Sequence, residues 1–223
     1  MFIELSYPIG PHSTVLDPGL KPPTVIPRSR FEDGKRNNTS YLELFAHTGT
    51  HLDMPWHFNP RGNKILDFEI GDFVFQSVVL VDIPKGPWEP VTETELRAFE
   101  DKIAHCDALL IRTGNNELRR TNPDVYIRGI PGLSVEAAQY LASFDQLRLI
   151  GMDFMSVENI EKARPLNYPV HHALLDRPRP MLLLEDANLT PAGQHTIQRL
   201  YLFPLRVEDL EASPVTAVAE VEY

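Results

Sequence analysis

The chain has 223 residues, a formal net charge of −10 and a pI near 5.2. That acidic balance excludes nucleic acid and anionic membrane surfaces as partners, because both require a basic footprint, and leaves small molecules as the expected ligands. The single Cys106 excludes an internal disulfide, no apolar run is long enough to cross a bilayer, and the first residues lack a secretory signal, so a reducing, cytoplasmic location is expected.

Residues 2–6 (FIELS) read as a short strand. The stretch 7–27 (YPIGPHSTVLDPGLKPPTVIP) has too many prolines for a helix or a central strand and reads as a long ordered loop, with His12 lining an entrance. SYLELFA (40–46) leads as a strand into HTGTHLDMPWHF (47–58), and SVVLVDI (77–83) is a further buried strand. In TETELRAFEDKIA (92–104), Thr92 and Glu95 have capping-box spacing while Leu96, Phe99 and Ile103 recur at helical intervals. DALLIRT (107–113) is a strand, Ser134 caps a helix over SVEAAQYLASF (134–144), and RLIGMD (148–153) is the strand after it. MLLLE (181–185), QRLYLFPLRV (198–207) and the alternating tail VTAVAEVEY (215–223) complete the pattern, the tail being apolar enough to pair across a subunit boundary. The sum is one α/β domain over 1–223 with a mixed sheet and about two main helices. A doubly wound nucleotide-binding fold is excluded by the missing glycine-rich phosphate turn.

Three of the chain's eight histidines, His47, His51 and His57, fall with Asp53 inside eleven residues. On a helix, Asp53 would lie well around the cylinder from His47, and Gly49 and Pro55 oppose helix formation. On a mainly extended chain all four odd-numbered side chains project to one side, with Gly49 allowing a tight turn and Pro55 stiffening the path to His57. Imidazoles and a carboxylate converging with positions left open are the donor set of catalytic zinc, and manganese is compatible with it. Asp53 has two oxygens and can bridge to a second ion, for which HHALLDRPRPMLLLED offers His171 or His172 and Glu185. A carboxylate closing an apolar strand is costly to bury unless it meets a cation.

At these residues the sequence resembles the metal-dependent cyclase family, whose pattern HxGTHxDxPxH is met by His47, Gly49, Thr50, His51, Asp53, Pro55 and His57. Further echoes are FIELSYPI, LLIRTG, PGLSVEAAQYL, GMDFMS, PVHHALL and LLLEDANL, so the resemblance covers most of the chain. It implies a swivelling β/β/α fold, a homodimer or homotetramer, and two Zn2+ ions per chain. His47, His51 and Asp53 would hold one ion, Asp53 would also touch the second, and His57 would be the catalytic acid/base. The family's HxxLL spacing favours His171 over His172, while RPRP sets Glu185 farther downstream than usual. The family's kynurenine formamidase (arylformamidase) branch implies hydrolysis of N-formyl-L-kynurenine to L-kynurenine and formate, a step of tryptophan catabolism. A cyclic amide such as isatin, or a non-catalytic ligand-binding role, are the alternatives.

A divalent ion makes water nucleophilic near neutral pH and polarises an amide carbonyl, while the poor nitrogen leaving group needs a proton, which His57 is expected to carry. A further ligand or an orienting residue is the other reading of His57. Trp56, Phe58 and Phe154 are candidate substrate contacts, with Phe31 and Trp88 as looser ones. Asp153 and Ser156 read as turn-stabilising, His105 as a surface residue, and Cys106, ahead of a buried strand, as no nucleophile.

Overall fold

The computed structural model describes residues 1–11, 13 and 19–222; His12 lies outside them. Its strands are β1 (Phe2–Glu4), β2 (Thr24–Ser29), β3 (Thr39–Glu43), β4 (His51–Asp53), β5 (Val74–Phe75), β6 (Val78–Asp82), β7 (Ala108–Arg112), β8 (Leu149–Met152), β9 (Leu182–Glu185), β10 (Ile197–Pro204) and β11 (Ala212–Val221). Nine of them form one mixed sheet in the order β5-β10-β11-β4-β9-β8-β7-β6, with β1 added beside β11. The run β6-β7-β8-β9 is parallel and the remaining pairs are antiparallel. β10 also packs beside β6, which curls the sheet toward closure.

Strand alternation sorts the buried residues into two cores. Ala108, Leu110, Leu182 and Leu184 face inward with Leu52, Leu200 and Ala217, while Leu109, Ile111, Ile150 and Leu183 face outward beneath the helices. Each leucine withdrawn from water in this way contributes roughly 2 kcal/mol. Gly151 sits in β8 where a Cβ would stand 2.5 Å from Leu110 Cδ2 and 3.3 Å from Leu184 Cδ2, so the two leucines fill the volume that a side chain would need.

The outer face is covered by α1 (Glu93–Arg97), α2 (Glu100–Ile103), α3 (Asn116–Thr121), α4 (Pro123–Arg128), α5 (Val135–Ala142), α6 (Ile160–Ala163) and α7 (Pro169–Leu175), more than the two helices expected. Thr92 and Glu95 form their reciprocal capping box, but the chain breaks at Phe99, whose N–H bonds to Leu96 O in a tight turn, and the expected helix becomes α1 and α2. Ser134 caps α5 by accepting from Ala137 N at 3.1 Å, and Ala137, Ala138 and Leu141 bury its inner side. Among the described residues no helix is long and apolar enough to cross a membrane.

Two expectations change. The end of the expected loop, residues 24–27, instead belongs to strand β2, which pairs with Thr39–Glu43 in a separate hairpin, where Pro27 is tolerated because the ladder has only two strands. The tail does not reach a subunit boundary by strand pairing: β11 is occupied by β10, β1 and β4 within its own sheet.

Candidate metal centre

Only His51–Asp53 of the histidine segment is strand, so alternation places His51 and Asp53 alone on one side. His47 arrives through a turn in which Gly49 takes the left-handed φ of +60°, and His57 closes a 3-10 turn begun by Pro55. Two turns flanking a three-residue strand, rather than one extended run, therefore gather the four side chains. Opposite them β9 brings Glu185 into register with His51. His171 and His172, expected ahead of a loop, lie on α7, which Pro169 starts at its first turn.

The groups meet closely. His47 Nδ1 lies 2.9 Å from Asp53 Oδ1, His51 Nε2 3.4 Å from both Asp53 Oδ1 and Glu185 Oε2, and His57 Nε2 3.8 Å from Asp53 Oδ2. His171 Nε2 stands 4.0 Å from Glu185 Oε1, which also accepts the Val157 N–H at 2.7 Å. Nitrogen or oxygen atoms of His47, Asp53 and His57, and of His51, Asp53 and Glu185, each lie within 4.8 Å of one another, with Asp53 common to both groups.

Proximity here is not hydrogen bonding. His51 Nε2 and both carboxylate oxygens of Asp53 are buried without a hydrogen-bond partner, because the nearby ring nitrogens are not aligned on them. A buried polar atom left unpaired costs about 1–3 kcal/mol, more when charged, so a bound cation would relieve a cost that three such atoms carry at one point. A divalent cation would satisfy all three, and the imidazole and carboxylate donors suit zinc or manganese. The residues fit such an ion.

The second nitrogens support this. His51 Nδ1 donates to Gly49 O at 2.8 Å, which leaves Nε2 with its lone pair toward Asp53. His47 Nε2 lies 3.3 Å from Glu211 Oε1 at the start of β11, leaving Nδ1 for the centre. Among the described residues no hydrogen bond holds either nitrogen of the His57 ring; it is bounded by ring contacts with His47 and Phe58. Burial dominates and pushes its pKa down to about 4, despite the pull of Asp53. Burial likewise opposes ionisation of Asp53, but the surrounding histidines win and hold it well below the carboxylate range.

These residues form the floor of a cavity of about 370 Å³ walled by Leu20, Phe45, Phe58, Met155, Ile160 and Tyr168, with Ser156 and Arg164 also facing it. Phe58 belongs to the expected wall and stacks on His171 at 4.2 Å between ring centres. Trp56 does not: its ring lies under Lys64 Nζ at 4.3 Å. Phe154 is only 1% exposed and packs in the outer core, so its neighbour Met155 faces the cavity instead. Phe31 is exposed beyond β2, and Trp88 lines a different groove. His172 points away and bonds Asp176 at the surface at 2.8 Å. Asp153 ties β8 to β7 by accepting from Thr113 N, Thr113 Oγ1 and Gly114 N, the turn-stabilising role expected of it. His105 caps a surface turn through Asp101 O, and burial raises the Cys106 thiol to about 12, leaving it an inert core residue.

Phe45, Tyr168, Glu158 and Glu211 were not singled out from the sequence. Phe45 carried a signal, standing two residues before His47; the others depend on contacts between distant segments.

The model of the family described as "Putative cyclase" matches residues 3–159. A protein named kynurenine formamidase from Bacillus thuringiensis subsp. konkukian (strain 97-27) is 29% identical over 217 residues, covering 97% of this chain and 96% of that one. The structure of isatin hydrolase A from Ralstonia solanacearum superposes with a TM-score of 0.82 at 21% identity, covering 100% of this chain and 92% of the other. A structure described as a "predicted metal-dependent hydrolase" from Bacillus stearothermophilus gives 0.73 at 20% identity, covering 98% and 97%. At these identities the structural likenesses establish a shared fold.

Proposed function

The chain belongs to the cyclase family, and on that premise we propose that it is a metal-dependent amidohydrolase that converts N-formyl-L-kynurenine to L-kynurenine and formate. The observation that carries the proposal is the trio of unpartnered buried atoms, His51 Nε2 and the two Asp53 oxygens, on the floor of an aromatic-walled cavity. Identity to the named kynurenine formamidase along nearly the whole chain supports the choice of substrate. The cavity, about 370 Å³ with Phe45, Phe58 and Tyr168 in its wall, fits a substituted benzene ring, and small-molecule sites of this size are common.

His47, His51 and Asp53 would hold one divalent ion, and Asp53, His171 and Glu185 a second. Such ions supply Lewis acidity that activates water and polarises the amide carbonyl. The chain's own residues then have distinct tasks. Glu185, fixed by the Val157 N–H, keeps its other oxygen directed at His51. The rings of Phe45, Phe58 and Tyr168 exclude water around the aryl group. His57, neutral at working pH because burial depresses its pKa, accepts a proton at Nε2 and returns it to the departing amide nitrogen, without which the amine is a poor leaving group. A ligand imidazole is usually locked by an outer partner; the free second nitrogen of His57 suits a group that must take and release protons.

Self-association is part of this reading. The β2–β3 hairpin stands outside the main sheet and exposes Val25, Ile26, Tyr41 and Leu42, and two strands alone are marginal in water. The test of the function is a panel of N-formyl-L-kynurenine, isatin and simple cyclic imides given to the purified, zinc-loaded protein, with formate and kynurenine measured. Kynurenine formation alone is the expected result. Cleavage of isatin alone would reassign the substrate, and inertness toward every amide would remove the enzymatic reading.

A further inference from the structure

Glu158 is a buried carboxylate with no part in the scheme above. It lies between β8 and α6, only 3% exposed; it lines the groove beside Trp88 and is not part of the metal cavity's lining, while its carboxylate is directed at His171. Burying an ionised carboxylate is expensive unless donors meet it, and three do. Glu158 Oε2 accepts the Val170 N–H at 3.2 Å, and Oε1 accepts the His171 N–H at 3.3 Å and makes a short contact with His171 Nδ1.

The last contact has a chemical consequence. A carboxylate can only accept, so the imidazole nitrogen facing it must carry the proton. His171 Nδ1 is then the N–H, and Nε2 keeps its lone pair on the side where Glu185 Oε1 lies 4.0 Å away. Phe58 stacks on the ring face with an interplanar angle of 26°, which restrains rotation but is indifferent to which nitrogen is protonated. Only Glu158 makes that choice among the described residues. The adjacent His172 shows the contrast: its Nδ1 also meets a carboxylate, Asp176, but on the exposed side of α7, and its ring faces no ligand group.

We propose that Glu158 is a positioning residue that fixes the Nδ1–H tautomer and the tilt of His171, and so completes the half-site of Asp53, His171 and Glu185 for a divalent cation. The inference rests on the metal-dependent reading above. Glu158 does not line the metal cavity; it acts through His171. In Glu158→Gln the amide oxygen can still accept from His171, but the NH2 group then opposes the Val170 N–H and the negative charge that strengthens the imidazole as a ligand is gone.

Two measurements test it. Chelator-stripped wild-type and Glu158→Gln proteins are titrated with Co2+, following the visible absorption that reports coordination. The variant is expected to keep its tighter site and to bind the second ion about 10–100-fold more weakly, the usual cost of losing such an outer partner. Two sites of wild-type affinity in a folded variant would overturn the proposal. Independently, long-range 15N–1H correlation spectra of the stripped proteins at alkaline pH report the tautomer. Wild-type His171 is expected as Nδ1–H, shifting to a mixture in the variant; Nε2–H in the wild type would overturn the proposal even if the variant failed to fold. Failure of the metal-dependent reading has a different signature, a wild-type protein that takes up no Co2+ while His171 remains Nδ1–H.

Discussion

His51 and Glu185 are direct partners across the β4–β9 ladder, and their side chains meet at 3.4 Å on the cavity side of the sheet. Strand register, rather than loop conformation, thus places one proposed ligand from each half of the chain. Glu185→Gln, nearly isosteric but uncharged, is expected to lose one of two bound ions while the protein stays folded. His171→Ala should do the same, whereas His172→Ala, whose side chain among the described residues meets the surface groups Asn167 and Asp176 and the edge of Phe58, should keep wild-type stoichiometry. Metal analysis of the three variants checks this; loss of metal on substituting His172 alone would reverse the assignment.

His57 is expected to behave as an acid/base and not as a ligand. His57→Ala should retain its metal and lose about 10²–10⁴-fold in turnover, the range typical of removing a general acid/base. Metal content and kcat measured on one preparation decide the matter. A parallel loss of both would make His57 a ligand, a role its place near His47 and Asp53 allows geometrically.

Without a cation, protonation of His47 offsets the charge of Asp53. Burial works to lower the His47 pKa, but Asp53 and Glu211 outweigh it and raise it from 6.5 to about 9. A folded-state pKa above the unfolded value gives stability that is complete below pH 6.5 and lost as pH climbs to about 9. At about 1.4 kcal/mol per pH unit the loss is on the order of 3 kcal/mol. Thermal midpoints of the stripped protein should fall across that window, and zinc, taking over the proton's role beside Asp53, should remove the fall. Equal slopes with and without zinc would contradict this.

The central sheet was legible because SVVLVDI, DALLIRT, RLIGMD and MLLLE are continuous apolar runs bounded by polar residues, the pattern of strands buried on both faces. Short helices were less so. α4 begins at Asn122-Pro123 and α7 at Pro169, both recognisable starts, but six- and seven-residue helices show too little periodicity to stand out. Of the site, the segment from His47 to His57 was visible because its ligand types are close in sequence, although alternation explains only His51 and Asp53. Glu158 and Glu211 were invisible. Their relation to His171 and His47 arises from tertiary packing across 13 and 164 positions, which a local pattern does not encode.

The hairpin provides a test of assembly. Leu42 in β3 is 59% exposed beside exposed Tyr41 and opposite Val25. If a second copy covers this face, Leu42→Asp should lower the mass measured by light scattering from a dimer or tetramer toward that of one chain, 25.3 kDa. A wild-type protein already at that mass would end the proposal.

The most direct measurement is kynurenine formation by one preparation in three states: as purified, after exhaustive chelation, and after zinc is restored. Activity should vanish with the metal and return in proportion to ions bound per chain, up to two. Undiminished activity in chelated protein shown by elemental analysis to be metal-free would contradict the assignment of His47, His51 and Asp53 to a catalytic cation.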